Sequence, residues 1–173
     1  MKARGKVREI RIRREKGKSF RSIPEGLFRV DFGLVGDIHS GPGPAQVLLL
    51  GREGRERLKD SPEEGLCFRR FRETITTEGI DLFKLPVGTR VKIGETLQEI
   101  TRVGKRCFPE CVLIGMKQPC VLSREVVMTR VLREGKICIG DSISLLPDSS
   151  ETAIARRAEV GQLRTSNFSS LRT

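Results

Sequence analysis

The fold is indicated most clearly by the stretch Thr89-Arg-Val-Lys-Ile-Gly-Glu-Thr-Leu-Gln-Glu-Ile-Thr-Arg-Val103. Thr89–Ile93 and Thr96–Val103 predict two strands, and Gly94-Glu95 predicts the tight turn of a β-hairpin. Further short strands are predicted in both directions along the chain, at Lys6–Arg13, Leu27–Phe32, Gln46–Leu50, Phe68–Thr77, Lys136–Ile139 and Ser142–Leu146. Short strands separated by turn residues predict a mainly β protein, a closed or nearly closed β-barrel with a few short helices.

Two segments have helical character. Arg52–Lys59 predicts one or two turns, and Ser123–Leu132 predicts a helix that Ser123 would cap. After Pro147 the chain is rich in Ser, Thr, Ala and Arg and poor in bulky apolar residues. We therefore expect a barrel domain over residues 1–147 and a flexible basic tail over residues 148–173.

The net charge of the 173-residue chain is +11, which favours anionic partners. Tyr and Trp are absent, so a stacking platform for single-stranded nucleic acid is not expected, although a basic RNA-binding barrel remains an alternative. No apolar run is long enough to cross a membrane, and no signal peptide is visible at the N-terminus. These features predict a cytoplasmic protein without a membrane partner.

Cysteine usage is the strongest chemical signal. The sequence contains Cys67, Cys107, Cys111, Cys120 and Cys138. The three at 107, 111 and 120 share one predicted loop, where Lys105 and Arg106 would lower the pKa of Cys107 and favour its thiolate. This pattern predicts a reactive sulfur or a soft-metal site. Cys67 and Cys138 stand singly beside apolar neighbours and are predicted to be inert.

Two further hypotheses concern ligands. The three clustered cysteines, with His39 as a fourth ligand, could hold a structural zinc in a non-enzymatic binding protein. Separately, the loop Gly36-Asp-Ile-His-Ser-Gly41 could bring its backbone N–H groups close to an anion. The candidate cofactor-binding residues are Gly36, Asp37, His39, Gly41, Lys105 and Arg106.

Three patches, taken in chain order, resemble the MOSC domain family. They are Gly33–Gly41 with Gln46-Val47, Phe71–Leu82 with Leu85–Gly88 and Ile93-Gly94, and Ile100–Cys107 continuing through Cys111 and Cys120 to Val131–Asp141. The family is named for the C-terminal domain of molybdenum cofactor sulfurase. The resemblance implies a β-barrel and a cysteine that carries sulfur or binds molybdenum, and Cys107 stands nearest to the family's usual cysteine.

The resemblance also implies partners and a cofactor. The ligand would be molybdenum cofactor (molybdopterin) or its precursor. The protein partner would be a cysteine desulfurase, with its pyridoxal phosphate chemistry, or a molybdoenzyme that is being matured. A partner must supply any sulfur because the chain has no room for a desulfurase domain, so a sulfurtransferase-like activity is left open. The chain departs from the family at Thr74, where an Asn is usual, and at Ala45, where an Arg is common.

Overall fold

A closed seven-stranded barrel forms the body of the protein in the computed structural model, which describes residues 4–146. The barrel strands follow one another in the order β1, β11, β7, β8, β9, β5 and β6, and β1 closes the ring because it pairs with both β6 and β11. Their bounds are β1 Arg4–Ile12, β5 Val47–Gly51, β6 Ile75–Glu78, β7 Arg90–Ile93, β8 Thr96–Val103, β9 Val127–Arg133 and β11 Ser142–Leu145. The predicted mainly β fold and barrel are confirmed.

Smaller elements cover the barrel. A second sheet joins β10 (Gly135–Cys138), β3 (Glu25–Arg29) and β4 (Gly33–Leu34), while β2 (Arg21–Ile23) extends the end of β1. The helices are α1 Arg52–Lys59, α2 Val112–Gly115 and α3 Val121–Glu125, and a 3₁₀ turn spans Leu82–Lys84. No helix within residues 4–146 has the length and apolar character needed to span a membrane.

The predicted hairpin is formed by β7 and β8. Residues of β7 and β8 pair in the antiparallel register Ile93↔Thr96 and Val91↔Gln98, around a turn at Gly94. Inward-facing residues such as Val91, Ile93 and Ile100 are fully buried. Burial alternates along β7 and β8, which places one face of each of these two strands in the barrel interior.

A second apolar cluster lies outside the barrel, beneath the helices. Its buried members are Leu50, Leu58, Phe71, Cys111, Leu113, Cys120, Leu122 and Val126. This cluster anchors the segments that connect α1 to β6 and β8 to β9. Those segments, which carry four of the five cysteines, are therefore held against the barrel wall.

One local prediction was wrong, and a second needs narrower bounds. The helix predicted over Ser123–Leu132 ends at Glu125, and the β-branched residues that follow form β9, which pairs with both β8 and β5. The segment Phe68–Thr77 contains a strand as predicted, but the strand begins only at Ile75, because the preceding residues form a turn in which Phe71 N donates to Cys67 O at 2.8 Å. The predicted tail, residues 148–173, lies outside the described residues.

Candidate functional site

A cavity of about 460 Å³ opens where β1, β5 and four connecting segments meet, and we call it the basic cavity. Its lining residues are Arg11, Phe20, Asp37, His39, Leu48, Leu66, Cys67, Arg70, Phe71, Arg72, Thr74, Lys105 and Phe108. These residues come from distant parts of the sequence. The cavity therefore forms only when the folded barrel brings together segments that are far apart in the sequence.

The lining combines cationic and apolar side chains. Arg70, Arg72 and Lys105 make no ion pair with any residue of the described chain, whereas Asp37 is the carboxylate of the lining. Arg72 Nη1 donates to the carbonyl of Phe71 at 2.7 Å, which fixes the guanidinium at the cavity wall. Such an arrangement suits an anionic ligand that also has an apolar surface.

Asp37 and His39 form one tightly connected unit. Asp37 Oδ1 accepts from the backbone N of His39 at 2.7 Å and lies 2.9 Å from its ring Nδ1, while Oδ2 accepts from Arg13 N at 3.0 Å. The His39 ring stacks on the Phe20 ring, with the two centroids 5.6 Å apart. The guanidinium of Arg13 lies over the same Phe20 ring, 4.2 Å from its centroid. Asp37 thus orients the His39 ring in the cavity lining.

Most backbone N–H groups of the loop Gly36–Gly41 are engaged within the protein. The N–H groups of residues 37–41 all donate within the protein, for example Ile38 N to Arg13 O at 2.9 Å and Gly41 N to Phe32 O at 2.8 Å. Neither Gly36 nor Gly41 is among the lining residues of the cavity. Gly36 has φ +86 and lies against Arg14, so its glycine character serves the turn. The donors of residues 37–41 are therefore already engaged and are not free for the predicted contact with an anion.

Cys67 faces the basic cavity, and Lys105 lies beside it. Lys105 Nζ donates to Cys67 Sγ at 3.1 Å and to the carbonyl of Arg106 at 3.2 Å, and it sits 4.9 Å from the ring centroid of Phe108. Cys67 is half-buried rather than enclosed. Cys67 was predicted to be inert and buried, whereas the structure leaves it half-buried in the lining of a cavity.

The three cysteines of the 104–120 segment differ from one another. Burial raises the pKa of Cys107, and the neighbouring Cys120 and Cys111 raise it further, against a hydrogen bond with Ser123 and the charge of Lys105. The expected net lowering of the Cys107 pKa was therefore wrong: Lys105 does lower this pKa, but desolvation outweighs the effect. A backbone hydrogen bond from Leu66 lowers the pKa of Cys111, although that side chain is buried.

These cysteines do not assemble a metal-binding group. Within residues 4–146, no three side chains of His, Cys, Asp or Glu are arranged to hold a metal ion. Cys107, Cys111 and Cys120 were the predicted metal ligands, with His39 as a fourth for zinc. His39 instead lies in the basic cavity bonded to Asp37, so the structure offers no zinc ligand set of that composition.

A buried carboxylate lies next to the cavity. The side chain of Glu73 is completely buried and accepts from Arg11 Nη1 at 2.6 Å, from Thr76 Oγ1 at 2.7 Å and from the guanidinium of Arg55. Burial alone would raise the pKa of Glu73, but Arg55, Arg11 and Thr76 together lower it. This ion cluster fixes Arg11 in the cavity lining.

The comparison with known proteins settles the family. The sequence model of the MOSC domain family matches residues 36–144, which is more than half of the chain. The chain belongs to the MOSC domain family. Among curated proteins, no sequence matches this MOSC domain significantly.

Solved structures show the same fold. The YuaD protein from Bacillus subtilis superposes on this MOSC domain with a TM-score of 0.62 at 18% identity, over 82% of this chain and 95% of YuaD. YiiM from Escherichia coli gives a TM-score of 0.54 at 17% identity, over 84% of this chain and 70% of YiiM. At these identities, the similarity concerns the barrel architecture.

The MOSC domain brings together part of the predicted site. Asp37, His39 and Lys105 share the basic cavity, whereas Cys107 and Arg106 are not among its lining residues. Sequence reasoning missed Cys67, Arg11, Arg70 and Arg72, together with the apolar wall. The run Arg69-Arg70-Phe71-Arg72, which interleaves arginine with an aromatic residue, was the signal that could have indicated them.

Proposed function

We propose that this protein handles molybdenum cofactor, binding it or its precursor in the basic cavity and carrying sulfur on a cysteine for the maturation of molybdoenzymes. The MOSC family is commonly linked to molybdenum cofactor sulfurase-related functions. The observation that carries the proposal is a cavity with three cations lacking ion-pair partners in the described chain, next to a half-buried thiol.

The lining fits such a group in both size and chemistry. Molybdopterin combines a flat heterocycle with a phosphate and sulfur atoms. The apolar side chains of Leu48, Leu66, Phe71 and Phe108 suit a flat ring, and the arginines of the lining suit a phosphate. A volume of about 460 Å³ lies within the range of small-molecule sites.

Particular residues would hold each part of the cofactor. Arg70 and Arg72 would bind the phosphate, because a guanidinium presents paired donors to phosphate oxygens. Asp37 and His39 would hydrogen-bond to the heterocycle at the cavity edge. When bound, the cofactor would supply molybdenum, for which a thiolate is a soft ligand.

The sulfur-carrying half of the proposal involves Cys107, the cysteine nearest to the family's usual position. Cys107 is half-buried and therefore within reach of solvent at the surface of the 104–120 segment. A cysteine desulfurase would deliver the sulfur, and a molybdoenzyme would receive the finished cofactor. All five cysteines are free thiols, which agrees with a reducing cytoplasmic setting.

The proposal is tested by mixing the purified protein with molybdenum cofactor and, separately, with a cysteine desulfurase and cysteine. We expect molybdenum to remain bound after gel filtration, and we expect intact mass analysis to show one added sulfur atom. A protein that keeps no molybdenum and gains no sulfur would refute both halves of the proposal.

A further inference from the structure

The position of Cys67 distinguishes it from the other cysteines of this protein. All five lie within the described residues, and Cys67 is the one among them that lines the basic cavity. Cys111 and Cys120 are 7% and 9% exposed, within the apolar cluster beneath the helices. Cys138 lies on β10, where its sulfur is 3.7 Å from a carboxylate oxygen of Glu25. A ligand in the cavity would therefore meet the sulfur of Cys67.

The ammonium group of Lys105 is held against this sulfur. Its Nζ lies 3.1 Å from Cys67 Sγ and makes no ion pair with a carboxylate of the described chain. A cationic donor at this distance complements negative charge on sulfur. The other contacts of the ammonium, with the Arg106 carbonyl and the Phe108 ring, leave that charge unneutralised.

Backbone structure fixes both partners of the contact. Gly104 N donates to Val126 O at 2.7 Å and Lys105 N donates to Leu122 O at 2.8 Å, which anchors the lysine to the α3 region. On the other side, the carbonyl of Cys67 accepts from the N–H groups at both Arg70 and Phe71. The contact therefore joins two anchored turns that are 38 residues apart in sequence.

We propose that Cys67 is the thiol that takes up sulfur inside the cavity, and that Lys105 stabilises the sulfur anion during the transfer. This inference rests on the proposed function and adds to it the residue at which sulfur would meet the bound cofactor. Cys107, the sulfur-carrying cysteine of the proposed function, lies outside the cavity lining, so this inference assigns the step beside the bound cofactor to Cys67 in its place.

The transfer is a thiol–persulfide exchange, and its atoms balance. The Cys67 thiolate attacks the outer sulfur of a persulfide donor, R–S–SH. A new S–S bond forms on Cys67 while the S–S bond of the donor breaks, and the donor leaves as the thiolate R–S⁻. The outer sulfur keeps its oxidation state, so the persulfide donor is the one co-reactant. Lys105 offsets the negative charge on the attacking sulfur, and the exposed Arg70 adds positive charge to the cavity lining.

The test uses the wild-type protein with glutathione persulfide as the donor. Persulfides are trapped with iodoacetamide, and peptide mass spectrometry assigns the added sulfur to individual cysteines. We expect labelling of Cys67 to exceed that of Cys138 about tenfold, since Cys138 is also half-buried but lies beside a carboxylate. We expect Lys105→Met to reduce labelling of Cys67 to the level of Cys138, while Lys84→Met leaves it unchanged.

The possible results separate this inference from the proposed function. Added sulfur on Cys107, Cys111 or Cys120 with none on Cys67 would overturn the inference, although the protein would still carry sulfur. Molybdenum binding without any added sulfur would also overturn it and leave the cofactor-binding half standing. Labelling of Cys67 that is insensitive to Lys105→Met would overturn the role of the lysine. Loss of both molybdenum binding and sulfur uptake would refute the proposed function itself.

Discussion

The substitution Glu73→Gln removes the negative charge of the ion cluster beside the basic cavity without leaving a void. The carboxylate is fully buried, and the side chains of Arg11 and Arg55 that bond to it are only 17% and 15% exposed. Removing one partner of a buried ion pair costs about 3–5 kcal/mol. Both arginines retain some contact with solvent, so we expect a loss of about 3 kcal/mol in the free energy of unfolding. In a chain of this length, that corresponds to a melting temperature lower by about 6–12 °C.

The pH dependence gives this prediction a second readout. Because the folded state lowers the pKa of Glu73, its contribution to stability is complete above the ordinary pKa of a glutamate. The contribution is lost as the pH falls through the lowered pKa of the folded protein. The stability difference between wild type and Glu73→Gln should therefore be full at neutral pH and shrink below about pH 4.

Urea denaturation followed by circular dichroism measures both effects. Glu56→Gln is the matched control, because Glu56 pairs with Arg52 at 3.0 Å on the exposed face of α1, and we expect no measurable change there. The reasoning is refuted if Glu73→Gln loses less than about 1 kcal/mol at neutral pH, or if the difference from wild type grows on acidification.

Two further predictions concern the barrel and the cysteine segment. Gly104 has φ +84, and a Cβ there would lie 2.2 Å from the carbonyl oxygen of Ser123, so Gly104→Ala should lower the free energy of unfolding by about 2 kcal/mol. Gly115→Ala, at a position with open space around it, is its control in the same urea titration and should leave stability nearly unchanged. Ile100→Ala removes a fully buried barrel side chain and should cost about 2–5 kcal/mol, whereas Val87→Ala, at a residue 63% exposed, should cost little. Equal losses in either pair would contradict the packing described here.

The strands were predictable where local chemistry determines them. The hairpin of β7 and β8 followed from alternation on either side of Gly94, and α1 matched its predicted bounds at Arg52–Lys59. The error at Ser123–Leu132 arose because a capping residue and an apolar spacing suit a helix, while pairing with β5 and β8 decides in favour of a strand.

The site was predictable only in part, because long-range contacts form it. Asp37 and His39 stand two residues apart in one glycine-rich loop, and both could be named as candidates from the sequence. Cys67 and Lys105 meet only after the barrel closes, so an isolated cysteine beside apolar neighbours gave no sign of its position. The pKa of Cys107 was misjudged because adjacent cations are visible in a sequence, whereas desolvation is not.

The central claim is that the basic cavity binds the cofactor through its cations. The most direct test is the molybdenum content per chain after mixing with molybdenum cofactor and gel filtration, for wild type, for Arg72→Met and for Lys84→Met. Arg72 lines the cavity, whereas Lys84 lies away from it and pairs with Asp81. We predict that wild type and Lys84→Met retain molybdenum and that Arg72→Met loses most of it. Equal molybdenum in all three proteins, or none in wild type, would contradict the claim.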